Sequence, residues 1–153
     1  MILLFILAKE LVKRHCSKIT LLARGEAKLA EAKIILDNYA ETLKSETKIS
    51  TYSVDVTDAN AVEKIAEKIC KNENSPSILF NVAGTSSSGE FLETHIGEFE
   101  RLMKINYLGT VYTVRAFLPH MLGHGNTNKS PKTIVFTSSA GMCFVKVLKI
   151  RYI

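Results

Sequence analysis

Short unbroken apolar runs alternate with segments of helical periodicity along most of the 153 residues, which restricts the chain to strands and helices in turn, the sequence form of a β-α-β sheet. Residues 3–15 set Leu7, Leu11 and Val12 on one side and Lys9, Glu10 and Lys13 on the other, predicting an amphipathic helix. Residues 19–23 are a continuous apolar run ending at Arg24-Gly25, as expected for a strand covered on both faces. From Glu26 a second helix aligns Leu29, Ala32, Leu36, Tyr39 and Leu43 in one stripe. Residues 51–56 alternate through Tyr52, Val54 and Val56 and predict the next strand. A third helix follows Thr57-Asp58, either of which can cap it, and buries Val62, Ile65, Ala66 and Ile69. Residues 72–77 form a turn cluster and residues 78–82 another strand. A long helix over 96–122 carries Pro119 near its end, which predicts a kink or a stop. Residues 123–132 read as a polar loop and 133–137 as the last strand.

The length suits one domain with a real core, and 46% hydrophobic with 23% charged residues argues against a disordered or fibrous chain. Cys16, Cys70 and Cys143 are odd in number and widely spaced, which fits buried or idle thiols in a reducing compartment. The net charge of +5 comes from lysines interleaved with glutamates along the helices, a poor footprint for nucleic acid. Residues 1–7 are apolar but fall far short of the ~20 residues of a spanning helix, and they lack the basic flank of a signal peptide. His120 and His124 are separated by Gly123 and predict no metal site. Asn128-Lys129-Ser130 matches a glycosylation sequon that the following Pro131 makes a poor acceptor.

Ligands of an open parallel sheet sit outside the carboxyl ends of its strands, so the candidate residues are those that close each strand. Asn81-Val82-Ala83-Gly84 ends the strand at 78–82: Ala83 and Gly84 admit a ligand close to the backbone, and the Asn81 amide can bond neighbouring main chain. Asp55 can either accept a bond from an adenine amino group or cap the next helix. Arg24, just past the strand at 19–23, and Lys28, one turn on, suit a 2′-phosphate and favour NADP over NAD. Ser138 and Ser139 close the last strand, where a hydroxyl can hold a substrate carbonyl or simply make a turn. Asn106 shares a helical stripe with Phe99, Met103, Thr110, Val114 and Phe117, so its amide needs buried partners.

Residues 80–84 (FNVAG), 104–109 (KINYLG) and 134–141 (IVFTSSAG), in that order, resemble the short-chain dehydrogenase/reductase family. Residues 18–33, 53–56, 80–91 and 99–121 resemble, within it, the 3-ketodihydrosphingosine reductases, over about residues 7–142. The resemblance implies a doubly wound Rossmann-like parallel sheet of α/β class, present here in part, with residues 1–153 as one partial nucleotide-binding domain. It implies NADPH-dependent reduction of 3-ketosphinganine, a long-chain keto-sphingoid substrate, at the cytosolic face of the endoplasmic reticulum membrane, and it admits membrane-surface association and homo-oligomers. Under it Arg24, Lys28 and Asp55 bind NADP, and Asn81, Ala83 and Gly84 line its path. Asn106 steadies a proton-relay water, and Ser138, or Ser139 if the strand sets the alignment, is the catalytic serine.

Two family elements are missing from these residues: the Thr-Gly-x-x-x-Gly-x-Gly loop with its strand, expected before Leu7, and the Tyr-x-x-x-Lys pair, expected about a dozen residues after the serine. Tyr152 stands near that separation without a lysine four residues on. The expectation is therefore two separate strand pairs, a tail after Cys143 without family character, and no turnover by this chain alone. A noncatalytic module that binds nucleotide weakly or pairs with a partner is the alternative.

Overall fold

A computed structural model of the chain describes residues 2–73, 75–123, 131–139 and 143–150. They fall into two units, Met1–Asp55 and Val56–Ile153. In the first, α1 (Ile2–Lys13), β1 (Lys18–Ala23), α2 (Glu26–Thr42) and β2 (Lys48–Ser53) follow one another. β1 and β2 pair in parallel, Lys18 opposite Lys48 through Ala23 opposite Ser53. Bonds from Lys48 N–H to the Ser17 carbonyl and from Val54 N–H to the Ala23 carbonyl, both 3.0 Å, extend the ladder at each end. The core joins Val12 of α1, Leu29 and Leu36 of α2, and Ile19, Leu21 and Ile49 of the strands.

Both helices of this unit close with a residue in the left-handed region, His15 at φ 54° and Lys44 at φ 51°. Around them Cys16 N–H bonds the Leu11 carbonyl and His15 N–H that of Val12, and Ser45 and Lys44 repeat the arrangement on Ala40 and Glu41. This pair of bonds is the Schellman closure, here built without the glycine that usually supplies the left-handed residue.

The second unit contains α3 (Ala59–Glu73), β3 (Ile78–Asn81), α4 (Ile96–Met103), a π-helical turn (Lys104–Leu108), α5 (Gly109–Leu122), β4 (Lys132–Ser139) and β5 (Cys143–Ile150). The strand order is β3-β4-β5. β3 and β4 are parallel, Ile78 opposite Thr133 and Asn81 opposite Phe136. β4 and β5 are antiparallel, Lys132 opposite Ile150 and Ser139 opposite Cys143. Asp58 caps α3, its Oδ1 accepting from Ala61 N–H at 3.0 Å. α3 packs on α5; α3 buries Val62, Ala66 and Ile69, and α5 buries Thr113, Phe117 and Met121.

The helix-strand alternation is that of an incomplete Rossmann-like α/β fold; its strands form one pair and one three-stranded sheet where two pairs were expected. Four features differ from the sequence reading. β2 begins at Lys48 and ends at Ser53, so Asp55 lies beyond the strand; the polar Lys48, Ser50 and Thr51 hide its start, and pairing with β1 sets the register. The helix predicted over 96–122 is split by the π turn, whose bond from Gly109 N–H to the Lys104 carbonyl spans five residues. Pro119 neither stops α5 nor stands alone: the helix runs to Leu122, where Gly123, at φ 58°, returns its N–H to the Pro119 carbonyl at 3.1 Å. The tail after Cys143 supplies the antiparallel strand β5, which sequence periodicity did not announce. His124, the Asn128–Ser130 sequon and Tyr152 lie outside the described residues.

Candidate functional site

Both units contain expected site residues, most of them at or just past the carboxyl ends of strands. In the first, Arg24 follows β1 and Asp55 follows β2, and parallel pairing brings the two side chains together: Arg24 Nη1 is 3.6 Å from Asp55 Oδ2. The separation exceeds the 2.7–2.9 Å of a charge-assisted hydrogen bond, so this is a loose ion pair. With side chains 68% and 41% exposed, it leaves the guanidinium accessible from solvent. Ser53 Oγ donates to the Arg24 carbonyl at 3.0 Å and ties this backbone to the end of β2. Lys28 is exposed in the first turn of α2, its stem close to Gly25. A cation and a carboxylate side by side at a helix N-terminus suit a ligand offering both an anionic group and a hydrogen-bond donor.

In the second unit the short β3 ends on Asn81, which is 8% exposed. Its carbonyl accepts from Thr137 Oγ1 at 2.9 Å, a bond across to β4. Its side-chain Nδ2 is buried with no partner among the described residues. A buried amide donor left unmet costs about 1–3 kcal/mol, so it is ordinarily met by protein or by ordered water. Ala83 and Gly84 follow, both exposed. A side chain at Gly84 would grow toward Asn106 Oδ1, 3.5 Å from the position of its Cβ.

Asn106 corrects the sequence reading. It is exposed rather than buried, and so is Met103. The π turn inserts a residue into the helical phase, so Phe99 and Met103 before it no longer continue the stripe of Thr110, Val114 and Phe117 after it. The amide is nonetheless fully engaged: Oδ1 accepts from Thr85 N–H at 2.8 Å and Nδ2 donates to the Thr85 carbonyl at 2.9 Å. Thr110 Oγ1 donates to the Asn106 carbonyl at 3.2 Å. π turns of this kind occur mostly inside α-helices at functional positions.

Ser138 is exposed near the carboxyl end of β4, two residues beyond the Phe136 that faces Asn81. Ser139 follows at the strand's last position. Thr85 and Thr137 are the partners that sequence reasoning missed. Both act through backbone contacts, Thr85 with a residue 21 positions away and Thr137 with one 56 away, and no spacing rule announces those.

The segment before α4 is fastened to it. The Phe91 ring meets that of Phe99 at 5.3 Å between centroids, tilted by 60°, and Ser87 bonds the Glu98 carboxylate, which within α4 also forms a two-point bond with Arg101 at 2.8 and 2.6 Å. The Arg101 bond first, and a further one from Ser87, hold the Glu98 carboxyl down to about 2. Burial pushes the Cys70 thiol up, in keeping with an idle cysteine. Among the described residues no group of His, Cys, Asp and Glu could hold a metal ion, and no helix is long and apolar enough to cross a membrane.

Parallel strands joined by helices, with polar residues at the strand ends, define a protein of the dinucleotide-binding α/β class. The family model of the short chain dehydrogenases matches residues 5–149, and the chain belongs to that family. It is 38% identical to a 3-ketodihydrosphingosine reductase of Mus musculus over 122 residues, 79% of this chain and 35% of that protein. It is 37% identical to a 3-dehydrosphinganine reductase of Danio rerio over 109 residues, 71% of this chain and 32% of the relative. Among solved structures, an NADPH-bound short chain oxidoreductase of Pseudomonas aeruginosa PAO1 with an atypical catalytic centre superposes with a TM-score of 0.67. It is 26% identical and covers 76% of this chain and 44% of its own. The chain spans about a third of the length of the curated relatives it matches.

Proposed function

We propose that this chain is the part of a ketosphingoid reductase that binds the adenosine side of NADPH and carries the asparagine and serine of the catalytic group. The observation that carries the reading is the meeting of Arg24 and Asp55 at the ends of paired parallel strands, in a chain 38% identical to a 3-ketodihydrosphingosine reductase. The residues fit the cofactor: an exposed guanidinium suits a 2′-phosphate, the adjacent carboxylate suits an adenine amino group, and Lys28 adds a second cation. NADPH, when bound, supplies the hydride. Ala83 and Gly84 leave the backbone after β3 open to close approach. Asn106 holds that segment through Thr85, and Ser138, with Ser139 as the other candidate, places a hydroxyl where a substrate carbonyl is polarised.

The 153 residues contain no Tyr-x-x-x-Lys pair and no Gly-x-x-x-Gly-x-Gly loop, so by themselves they offer no general acid of the family type. This favours, as a second reading for the chain alone, a nucleotide-binding module without turnover. Endoplasmic reticulum attachment and self-association belong to the same proposal and rest on the similarity to the sphingolipid reductases.

The test joins the chain to a Gly-rich strand-loop segment and a Tyr-x-x-x-Lys segment of the short chain dehydrogenase type. Nicotinamide absorbance is then followed with NADPH and 3-ketosphinganine. Turnover by the joined protein, lost on Ser138→Ala with Ser139→Ala and absent from the 153 residues alone, is expected. Turnover by the chain alone, or activity in the joined protein indifferent to those serines, would contradict the assignment.

A further inference from the structure

The backbone that leaves β3 is held by side chains of other elements. β3 and β4 pair from Ile78 opposite Thr133 to Asn81 opposite Phe136, and their ladder ends there. Thr137 is the next residue of β4, and its Oγ1 donates to the Asn81 carbonyl at 2.9 Å in a half-buried bond. From Thr137 on, β4 pairs with β5 alone, Thr137 opposite Val145 and Ser138 opposite Phe144. The threonine hydroxyl is thus the last tie between β3 and β4. Asn81 Nδ2 adds no tie of its own, being buried with no acceptor among the described residues.

Further along, Asn106 holds both backbone groups of Thr85. Val82, Ala83 and Gly84 therefore cross between two anchors, Thr137 at one end and Asn106 at the other, and among the described residues no strand pairs with them. A strand threonine bonded to main chain commonly does no more than satisfy a carbonyl. Thr137 differs in two respects. No pairing of β3 with β4 beyond it can make good the loss of its bond. It also directly precedes Ser138, so one residue links the backbone leading to Ala83 and Gly84 with the strand that carries the candidate hydroxyl.

We propose that Thr137 is a positioning residue: its hydroxyl sets where the nucleotide path at Ala83 and Gly84 lies relative to the Ser138 hydroxyl. This rests on the reading of those residues as cofactor path and carbonyl donor. Such positioning acts on the part of a ligand that lies along the positioned backbone and leaves contacts made elsewhere untouched.

Calorimetric titration of the chain with NADPH and with 2′,5′-ADP, which lacks the nicotinamide half, is the test. Thr137→Val, close in shape but without the hydroxyl, should weaken NADPH binding by about three- to tenfold, the loss of one hydrogen bond, and leave 2′,5′-ADP binding unchanged. Thr137→Ser, which keeps the hydroxyl, should bind NADPH as the unaltered chain does. Thr137→Ala differs from Thr137→Ser by the hydroxyl alone and supplies the same comparison if the valine variant does not fold. Amide exchange at Ala83 and Gly84, read without nucleotide, should quicken in the valine and alanine variants and not in the serine one. Equal losses for the two ligands, NADPH binding indifferent to the hydroxyl, or unchanged exchange each overturns the role of Thr137. An unaltered chain that binds NADPH no more tightly than 2′,5′-ADP would instead sink the cofactor path itself, and the role of Thr137 with it.

Discussion

Asn106 holds Thr85 by both backbone groups, accepting from its N–H and donating to its carbonyl across 21 residues of sequence. The clamp fastens the segment that follows β3 to the π-helical turn, so the backbone at Ala83 and Gly84 is positioned by a side chain rather than by a strand ladder. Asn106→Ala removes both bonds and should lower stability by about 1–2 kcal/mol. The specific readout is amide exchange at Thr85, which should lose protection while Leu79 and Phe80 keep theirs. Unchanged exchange at Thr85 would show that the clamp is not formed in solution.

Gly109 begins α5 where Val56 passes close by. A Cβ there would stand 2.9 Å from Val56 Cγ2 and 3.4 Å from the Val56 carbonyl oxygen. Gly109→Ala should therefore destabilise the chain by about 1–3 kcal/mol through overpacking, against a helix-propensity gain of about 1 kcal/mol. Val56→Ala in the same molecule should recover much of the loss. A urea-denaturation cycle over the two sites checks this, and additive effects would contradict the contact.

How far the fold could be read in advance depended on the range of the forces involved. β1, α2 and α3 were legible because apolar periodicity and the Asp58 cap are local signals. β2 was misplaced because its first residues are polar and only the pairing with β1 sets its register. The π turn at Lys104–Leu108 carries no composition signal, and it moved Asn106 from a supposed core stripe to the surface. Of the candidate site, Arg24, Asp55, Asn81 and Asn106 were proposed from residue type and from place at strand ends or on the helix. The Thr85 and Thr137 contacts could not, since they reach main chain far along the sequence.

Lys44 and His15 hold left-handed backbone conformations that L side chains occupy at a cost. Replacing either by glycine should stabilise the first unit by about 0.5–1 kcal/mol, and Lys44→Val should destabilise it. Thermal unfolding of the single variants decides the sign. A loss on Lys44→Gly would mean that the lysine side chain contributes more than the strain removes.

Glu98 is held down to about 2 from an ordinary 4.5, chiefly by Arg101 and then by Ser87. A carboxylate depressed in the folded state contributes stability that is present above its unfolded value and lost as pH falls from about 4.5 toward 2. Carboxyl titration by NMR should show Glu98 as the last glutamate to protonate, and Arg101→Gln should return it toward the ordinary range. A midpoint near 4.5 in the unaltered chain would contradict the two-point bond.

The most direct test of the nucleotide assignment is calorimetric titration of the chain with 2′,5′-ADP and with 5′-AMP, which differ by the 2′-phosphate. Tighter binding of 2′,5′-ADP by about tenfold or more is expected, a preference removed by Arg24→Ala. Equal affinities for the two nucleotides, or a preference that survives Arg24→Ala, would contradict it.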